Sequence, residues 1–278
     1  MGRIGRGWQL AKMSLRVIRK DKELLLFPLI SGLITIVILA SFFIGAVITV
    51  GFDGIFGGSS QWVLWLFLVL FYFVSFFIAI FFNAAIIGCA MIRLNGGNPN
   101  LSDGFRIARE NLRQIILWAI FAATVAMVIR AIQQRVGFLG KLLLGGLGVA
   151  FTIATYFVVP VFIYEKLGPW KALKRSVAIL KGTWGEALVG NLGLGVIFFL
   201  LGLLGILPII GGAVIGGIWG LVAGAVIAIV YWLILGLVAS AAQSVLVAAL
   251  YRYATTGKTS EEFAELSFQN PWTVPKRI

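Results

Sequence analysis

The chain contains no histidine and one cysteine, Cys89. Imidazole acid/base chemistry, histidine metal sites, disulfide frameworks and paired-thiol redox chemistry are excluded together. The other groups able to ligate or transfer protons are 10 carboxylates and 23 Lys and Arg side chains. The carboxylates avoid the middle of every long apolar run: Asp53 falls in an outer turn, and Glu165 and Glu186 at a cytoplasmic boundary. Ion-coupled transport normally needs an ionisable group or an unwound polar helix pair inside the hydrocarbon. No GxxxxGK[ST] loop for nucleotide phosphates is present. The sequence therefore reads as a non-enzymatic chain with no catalytic residues, no metal and no cofactor.

Two weaker polar patterns remain inside the apolar runs. Asn83, Thr155 and Gln243 each fall about ten residues before the cytoplasmic end of an even-numbered span, and Asn191 opens the fifth. Such groups form helix–helix hydrogen bonds in lipid, worth roughly 0.6 kcal/mol each, or line a common interior or pore. A stripe of small residues at four-residue spacing joins Gly212, Gly216, Gly220, Gly224 and Ala228, and past Trp232 continues to Gly236, Ser240, Ser244 and Ala248. This spacing permits close right-handed helix crossing. It serves packing of the sixth span on the fifth, joining of protomers in a homo-oligomer, or the lining of a narrow pore. Cys89 reads as a small packing residue.

The elements that hold these groups follow from composition. Of 278 residues, 60% are apolar and only 12% charged, against roughly 45–50% and 25% in soluble domains. A polytopic all-α membrane protein results. Six apolar runs, at 24–50, 62–92, 115–129, 142–164, 187–210 and 215–250, are candidate spans, all of about 20 residues or more except the third, which needs Arg130 to snorkel. The first is too long for a signal peptide and reads as a retained span. Segments 1–23, 93–113, 165–186 and 251–278 carry 20 of the 23 basic residues. The positive-inside rule makes them cytoplasmic and both termini with them. The other three cations, Arg130, Arg135 and Lys141, share one outer loop and would favour anions at its mouth. Trp62, Trp65 and Trp219 fit an outer aromatic belt, Trp118 and Trp184 an inner one. Pro160 should kink the fourth span, and Pro208 with the glycines after it should make a tight outer turn.

The net charge of +13 points to a membrane surface rather than to nucleic acid. Each odd-numbered span follows a basic stretch, and the three stretches align without gaps: WQLAKMSLRVIRKD from Trp8, SDGFRIARENLRQI from Ser102 and WKALKRSVAILKGT from Trp170. Lys12, Arg106 and Lys174 coincide, as do Arg19, Arg113 and Lys181, and as do Ser14, Ala108 and Ser176. At 100° per residue the cations share one face, and the small residue centres the apolar one. This is the pattern of an interfacial amphipathic helix with its cations on anionic headgroups. The expected architecture is one six-span domain over 1–258, built as three repeats of interfacial helix plus transmembrane hairpin (1–93, 94–166 and 167–258). A cytoplasmic tail over 259–278 opens with Thr259 and Glu262 as a capping box.

With the repeat in view, the chain resembles an uncharacterised prokaryotic family of six-span membrane proteins. It is also similar to the membrane domain that accompanies some glycerophosphodiester phosphodiesterases. RVIRKDKELLLFPLISG, KALKRSVAILKGTWGEAL and the motif-poor spans carry that likeness. The resemblance implies fold and topology, and a place in the prokaryotic cytoplasmic membrane, but no catalytic residues. The leading function class is an oligomeric passive pore leaning towards anions; a lipid-interacting organiser of the membrane and an accessory or assembly subunit of another membrane protein are the alternatives.

Overall fold

The computed structural model describes residues 3–57 and 61–257, with side chains outside 3–11, 52–57, 61, 138–139, 141–142 and 183–192. The described chain is helical, without strands: α1 (Arg3–Lys20), a 3₁₀ turn (Lys22–Leu25), α2 (Leu26–Gly57), α3 (Gln61–Leu94), α4 (Leu101–Glu110), α5 (Leu112–Gln133), α6 (Phe138–Ala154), α7 (Val158–Glu165), α8 (Pro169–Leu204) and α9 (Leu207–Thr256). Five candidate membrane spans are long and apolar enough to cross a bilayer: Lys22–Gly51, Trp62–Leu94, Leu112–Gln133, Leu143–Glu165 and Gly193–Thr256. The last covers the region read from sequence as two spans. The tail capping box at Thr259 and Glu262 lies outside the described residues.

The helices form two compact units. One takes Met1–Pro28, Cys89–Leu101 and Ile179–Ile278; the other takes Leu29–Gly88 and Ser102–Ala178. Neither coincides with one of the three sequential repeats, because α2, α3 and α8 each run from one unit into the other.

In the first unit α1 lies against α9. Met13, Ser14, Val17 and Ile18 of α1 are buried, and the closing stretch of α9 buries Ala241, Ala242, Val245, Leu246 and Ala248. Such small side chains let backbones approach closely. The helix ends at Asp21, whose buried carboxylate accepts both Nε and Nη2 of Arg93, and Arg93 also donates to Asn98 Oδ1 at 2.6 Å. Glu23 accepts the Leu101 backbone N–H at 3.1 Å.

The same unit holds a helical hairpin whose turn is not where the prolines suggest. Gly217 has φ +57° and ψ −137°, a conformation open to glycine and little else, and it breaks α9 internally. Pro208 sits in the first turn of α9 after a joint at Gly205–Ile206. The chain keeps its heading through that joint. In order, Leu201 O accepts from Tyr231 Oη at 2.7 Å, Gly202 O accepts from Trp232 Nε1 at 2.9 Å, Pro208 O faces Gly224, and Gly212 faces Gly220. Two antiparallel arms meet at Gly217. The sequence expectation of a turn at Pro208–Gly212 is corrected: a proline at a helix start is tolerated without reversing the chain.

In the second unit, α4 lies on α3 through Phe105, which packs on Phe81 and Phe82, and through Ile107, which fills the space a side chain at Gly88 would need. Phe42 of α2 packs edge-on against Phe67 and Phe71 of α3. The fourth apolar run is broken between Ala154 and Val158, around Tyr156, whose carbonyl the missing N–H of Pro160 would have bonded.

Candidate functional site

The three basic segments supply the chemistry-bearing side chains on the described surface. Lys12, Arg19, Arg106, Arg113, Lys174 and Lys181 are all exposed, whereas Ser14, Ala108 and Ser176 are each 0% exposed. The alternation that the alignment places on two helix faces is thus present in each segment. The segments differ in how they end. Asn111 stops α4: its side chain donates to Ile107 O at 2.7 Å and accepts from Lys166 Nζ at 2.6 Å, while the residue is buried. Ile179 holds the matching place in α8, which runs on unbroken from Pro169 to Leu204. Without a polar residue to compete for the backbone, nothing ends that helix.

The cations are not electrostatically equivalent. Arg106 donates to Asp103 at 3.2 Å and to Glu110 at 3.4 Å on its own helix. The hydrogen bond to Asp103, followed by the charge of Glu110, holds its guanidinium above the ordinary Arg value. Lys174 sits over the Trp170 ring at 5.5 Å, a cation–π placement that fixes its direction. Segment 8–21 contains Lys12, Arg16, Arg19 and Lys20 with Asp21 as its one acid, and that acid is turned to Arg93.

Polar contacts that sequence reading passed over brace the second unit. Ser176 Oγ accepts the Phe157 N–H at 3.0 Å and donates to Ala154 O at 2.7 Å. These are the backbone groups freed where the helix breaks before Pro160, so one hydroxyl of α8 splints the joint between α6 and α7. Arg175 grips Glu165 at 3.0 Å to each carboxylate oxygen. Lys166, with φ +54°, caps α7 through its N–H to Phe162 O. Pro160 was the usable signal for the break, and a serine phased with a buried position was the signal for its partner.

The residues read as an interior or pore set fall in both units. Asn83 is exposed, and Thr155 is half-buried at the helix break with its hydroxyl on Thr152 O at 2.9 Å. Gln243 is half-buried in the other unit. The side chain of Asn191 lies outside those described. The glycine stripe is divided as well. Gly212 and Gly216 precede the Gly217 turn, while Gly220, Gly224, Ala228 and Gly236 follow it. A Cβ on Gly212 would strike the Gly220 carbonyl, one on Gly220 the Gly212 carbonyl, and one on Gly224 the Pro208 carbonyl. Gly216 and Gly236 face open space. Gly212, Gly220 and Gly224 thus each face the opposite arm of the Gly217 hairpin.

Of the outer-loop cations, Arg130 and Arg135 are exposed, and the Lys141 side chain lies outside those described. Arg130 bonds the Tyr72 hydroxyl and lies over that ring at 5.8 Å. Trp62, Trp65 and Trp219 are exposed, and Trp118 is buried against Phe121 and Phe151; the side chain of Trp184 is outside those described. Cys89 is buried. Among the described residues no group of three His, Cys, Asp or Glu could hold a metal ion.

Helices of this length and apolarity, with charge held at their ends, define a helical membrane-type protein. The chain belongs to the family of unknown function DUF6159, whose sequence profile matches residues 62–261. No curated protein and no solved structure matches it.

Proposed function

We propose that this chain is a non-enzymatic, six-span membrane protein that engages anionic lipid headgroups on the cytoplasmic side through its three basic helix segments. The observation that supports this most directly is the shared pattern of exposed cations at Lys12, Arg19, Arg106, Arg113, Lys174 and Lys181 about three fully buried small residues. A cation at an anionic leaflet contributes about 1 kcal/mol, so a set of six outweighs thermal dispersal of lipid. The antiparallel arms meeting at Gly217 support counting Gly193–Thr256 as two crossings, which returns the C-terminus to the side of the N-terminus. The threefold repeat, the prokaryotic inner membrane and the likeness to phosphodiesterase membrane domains fit this reading of a lipid-facing helical body. The second reading, an oligomeric passive pore, draws on the exposed Arg130 and Arg135 but loses the glycine stripe as its lining.

Spin-labelled lipid tests the proposal. In mixed phosphatidylcholine and phosphatidylglycerol membranes, the motionally restricted fraction should favour the anionic probe, and added salt should reduce that preference. Equal restriction of both probes at low salt would defeat it. Conductance in planar bilayers would favour the pore.

A further inference from the structure

Arg130 offers a charge with no carboxylate beside it: among the described residues its contacts are the hydroxyl and ring of Tyr72. Its depth can be read on rulers inside its own unit. The basic helix α4 rests on Phe81 and Phe82 of α3, marking the inner boundary. Exposed Trp62 marks the outer end of that helix. Tyr72 lies nine residues from Phe81 and ten from Trp62, about 13 and 15 Å along the axis. A second ruler agrees. Phe121 of α5 touches exposed Trp170, the ring under Lys174, and Arg130 lies nine residues farther along, again about 13 Å.

The hydrocarbon of a bilayer is about 30 Å thick, so both rulers set the guanidinium at its middle. The surroundings require lipid, not water, at that level and beyond it. Leu66, Val69 and Leu70 on α3 are exposed outward of Tyr72, as are Phe43, Ile44 and Ile48 on α2, outward of Phe42. The hairpin carrying Arg130 ends directly above it: α5 stops at Gln133, exposed Gln134 and Arg135 make the turn, and α6 begins at Phe138. The tip of the α5–α6 hairpin thus lies about 20 Å along the axis from Phe121, against about 28 Å from Phe81 to Trp62 on the α2–α3 hairpin beside it, and that shorter tip is polar. An ionisable group at the bilayer midplane persists when it meets a polar partner or draws one in.

We propose that Arg130, seated on Tyr72 and with Arg135 at the hairpin tip, is a phosphate site that draws the headgroup of an outer-leaflet glycerophospholipid down to mid-membrane and thins that leaflet over the α5–α6 hairpin. The guanidinium fork matches two phosphate oxygens, and the Tyr72 hydroxyl and ring fix its direction. The ligand chemistry is a phosphodiester. A free phosphate ion shares most of it, and the two sources are separable.

A fluorophore on Gln134→Cys, in a full-length Cys89→Ser protein reconstituted in phosphatidylcholine, reports what surrounds the tip. Quenching by a headgroup-nitroxide phosphatidylcholine should exceed quenching by a mid-chain nitroxide at least twofold, and excess inorganic phosphate should leave that ratio unchanged. Arg130→Gln should invert the ratio, Arg130→Lys should keep most of it, and Tyr72→Phe should lose about half. Mid-chain quenching that dominates in the parent protein, or a ratio indifferent to Arg130→Gln, overturns the site. Displacement by inorganic phosphate overturns the lipid as its source. Should the Gln variant fail to fold, equal ratios in the parent, Arg130→Lys and Tyr72→Phe proteins overturn the site as well.

Discussion

Gly212 and Gly220 meet backbone to backbone: the carbonyl oxygen of each occupies the place where the other's Cβ would have to stand. With Gly224 against Pro208, that contact closes the hairpin around Gly217. Only glycine fits, and the helix-propensity loss of about 1 kcal/mol per glycine is offset by close dispersion contact.

Gly220→Ala and Gly224→Ala should therefore open the seam, lowering the thermal midpoint in detergent by several degrees, roughly 1–3 kcal/mol of overpacking strain. Val222→Leu and Val226→Leu alter exposed positions on the same arm and should be silent. Equal behaviour of the four variants in a thermal-shift series would contradict the seam.

Ser176 makes a second prediction. Its hydroxyl satisfies the Phe157 N–H and the Ala154 carbonyl across the broken helix. Ser176→Ala keeps the small volume but leaves the Phe157 N–H buried without an acceptor, a loss of about 1–3 kcal/mol. Amide exchange should quicken at 154–158 while exchange in α3 stays unchanged. Unaltered protection at Phe157 would show that the splint does not hold the joint.

The count of crossings follows from the hairpin. With two crossings in Gly193–Thr256, cysteines at Arg19 and Thr256, both exposed, should react with an impermeant maleimide from one side only, the cytoplasmic side. Labelling of Thr256→Cys from the outer side would mean five crossings.

Much of this was legible in the residues. The apolar run at 24–50 becomes a helix broken at Gly51, and 62–92 becomes α3, since uninterrupted apolarity leaves few alternatives in lipid. The phase of Ser14, Ala108 and Ser176 was readable because helical periodicity converts spacing into facing. The turn at Gly217 was not, because a region with seven glycines between 202 and 220 offers many places to reverse and only tertiary contact selects one. Partners distant in sequence were equally hidden. Nothing local to Asp21 announces Arg93, and nothing local to Asn111 announces Lys166. Nor could spacing show that Arg130 meets Tyr72 of α3, 58 positions away.

The proposed lipid contact can also be ranked by helix. Arg106 shares its charge with Asp103 and Glu110, exposed pairs that each contribute little to stability but dilute the field. Gln at Arg106 and Arg113 should accordingly weaken anionic-lipid preference less than Gln at Lys12 and Arg19, a difference that the same spin-label titration resolves.

Native mass spectrometry of the protein released from nanodiscs of equal phosphatidylcholine and phosphatidylglycerol tests the central claim most directly. The account predicts that the wild-type chain retains several phosphatidylglycerol molecules in preference to phosphatidylcholine, and that the variant with Gln at Lys12, Arg19, Arg106, Arg113, Lys174 and Lys181 retains both equally. Undiminished phosphatidylglycerol retention by a folded six-Gln variant would contradict it, leaving those charges to set topology alone.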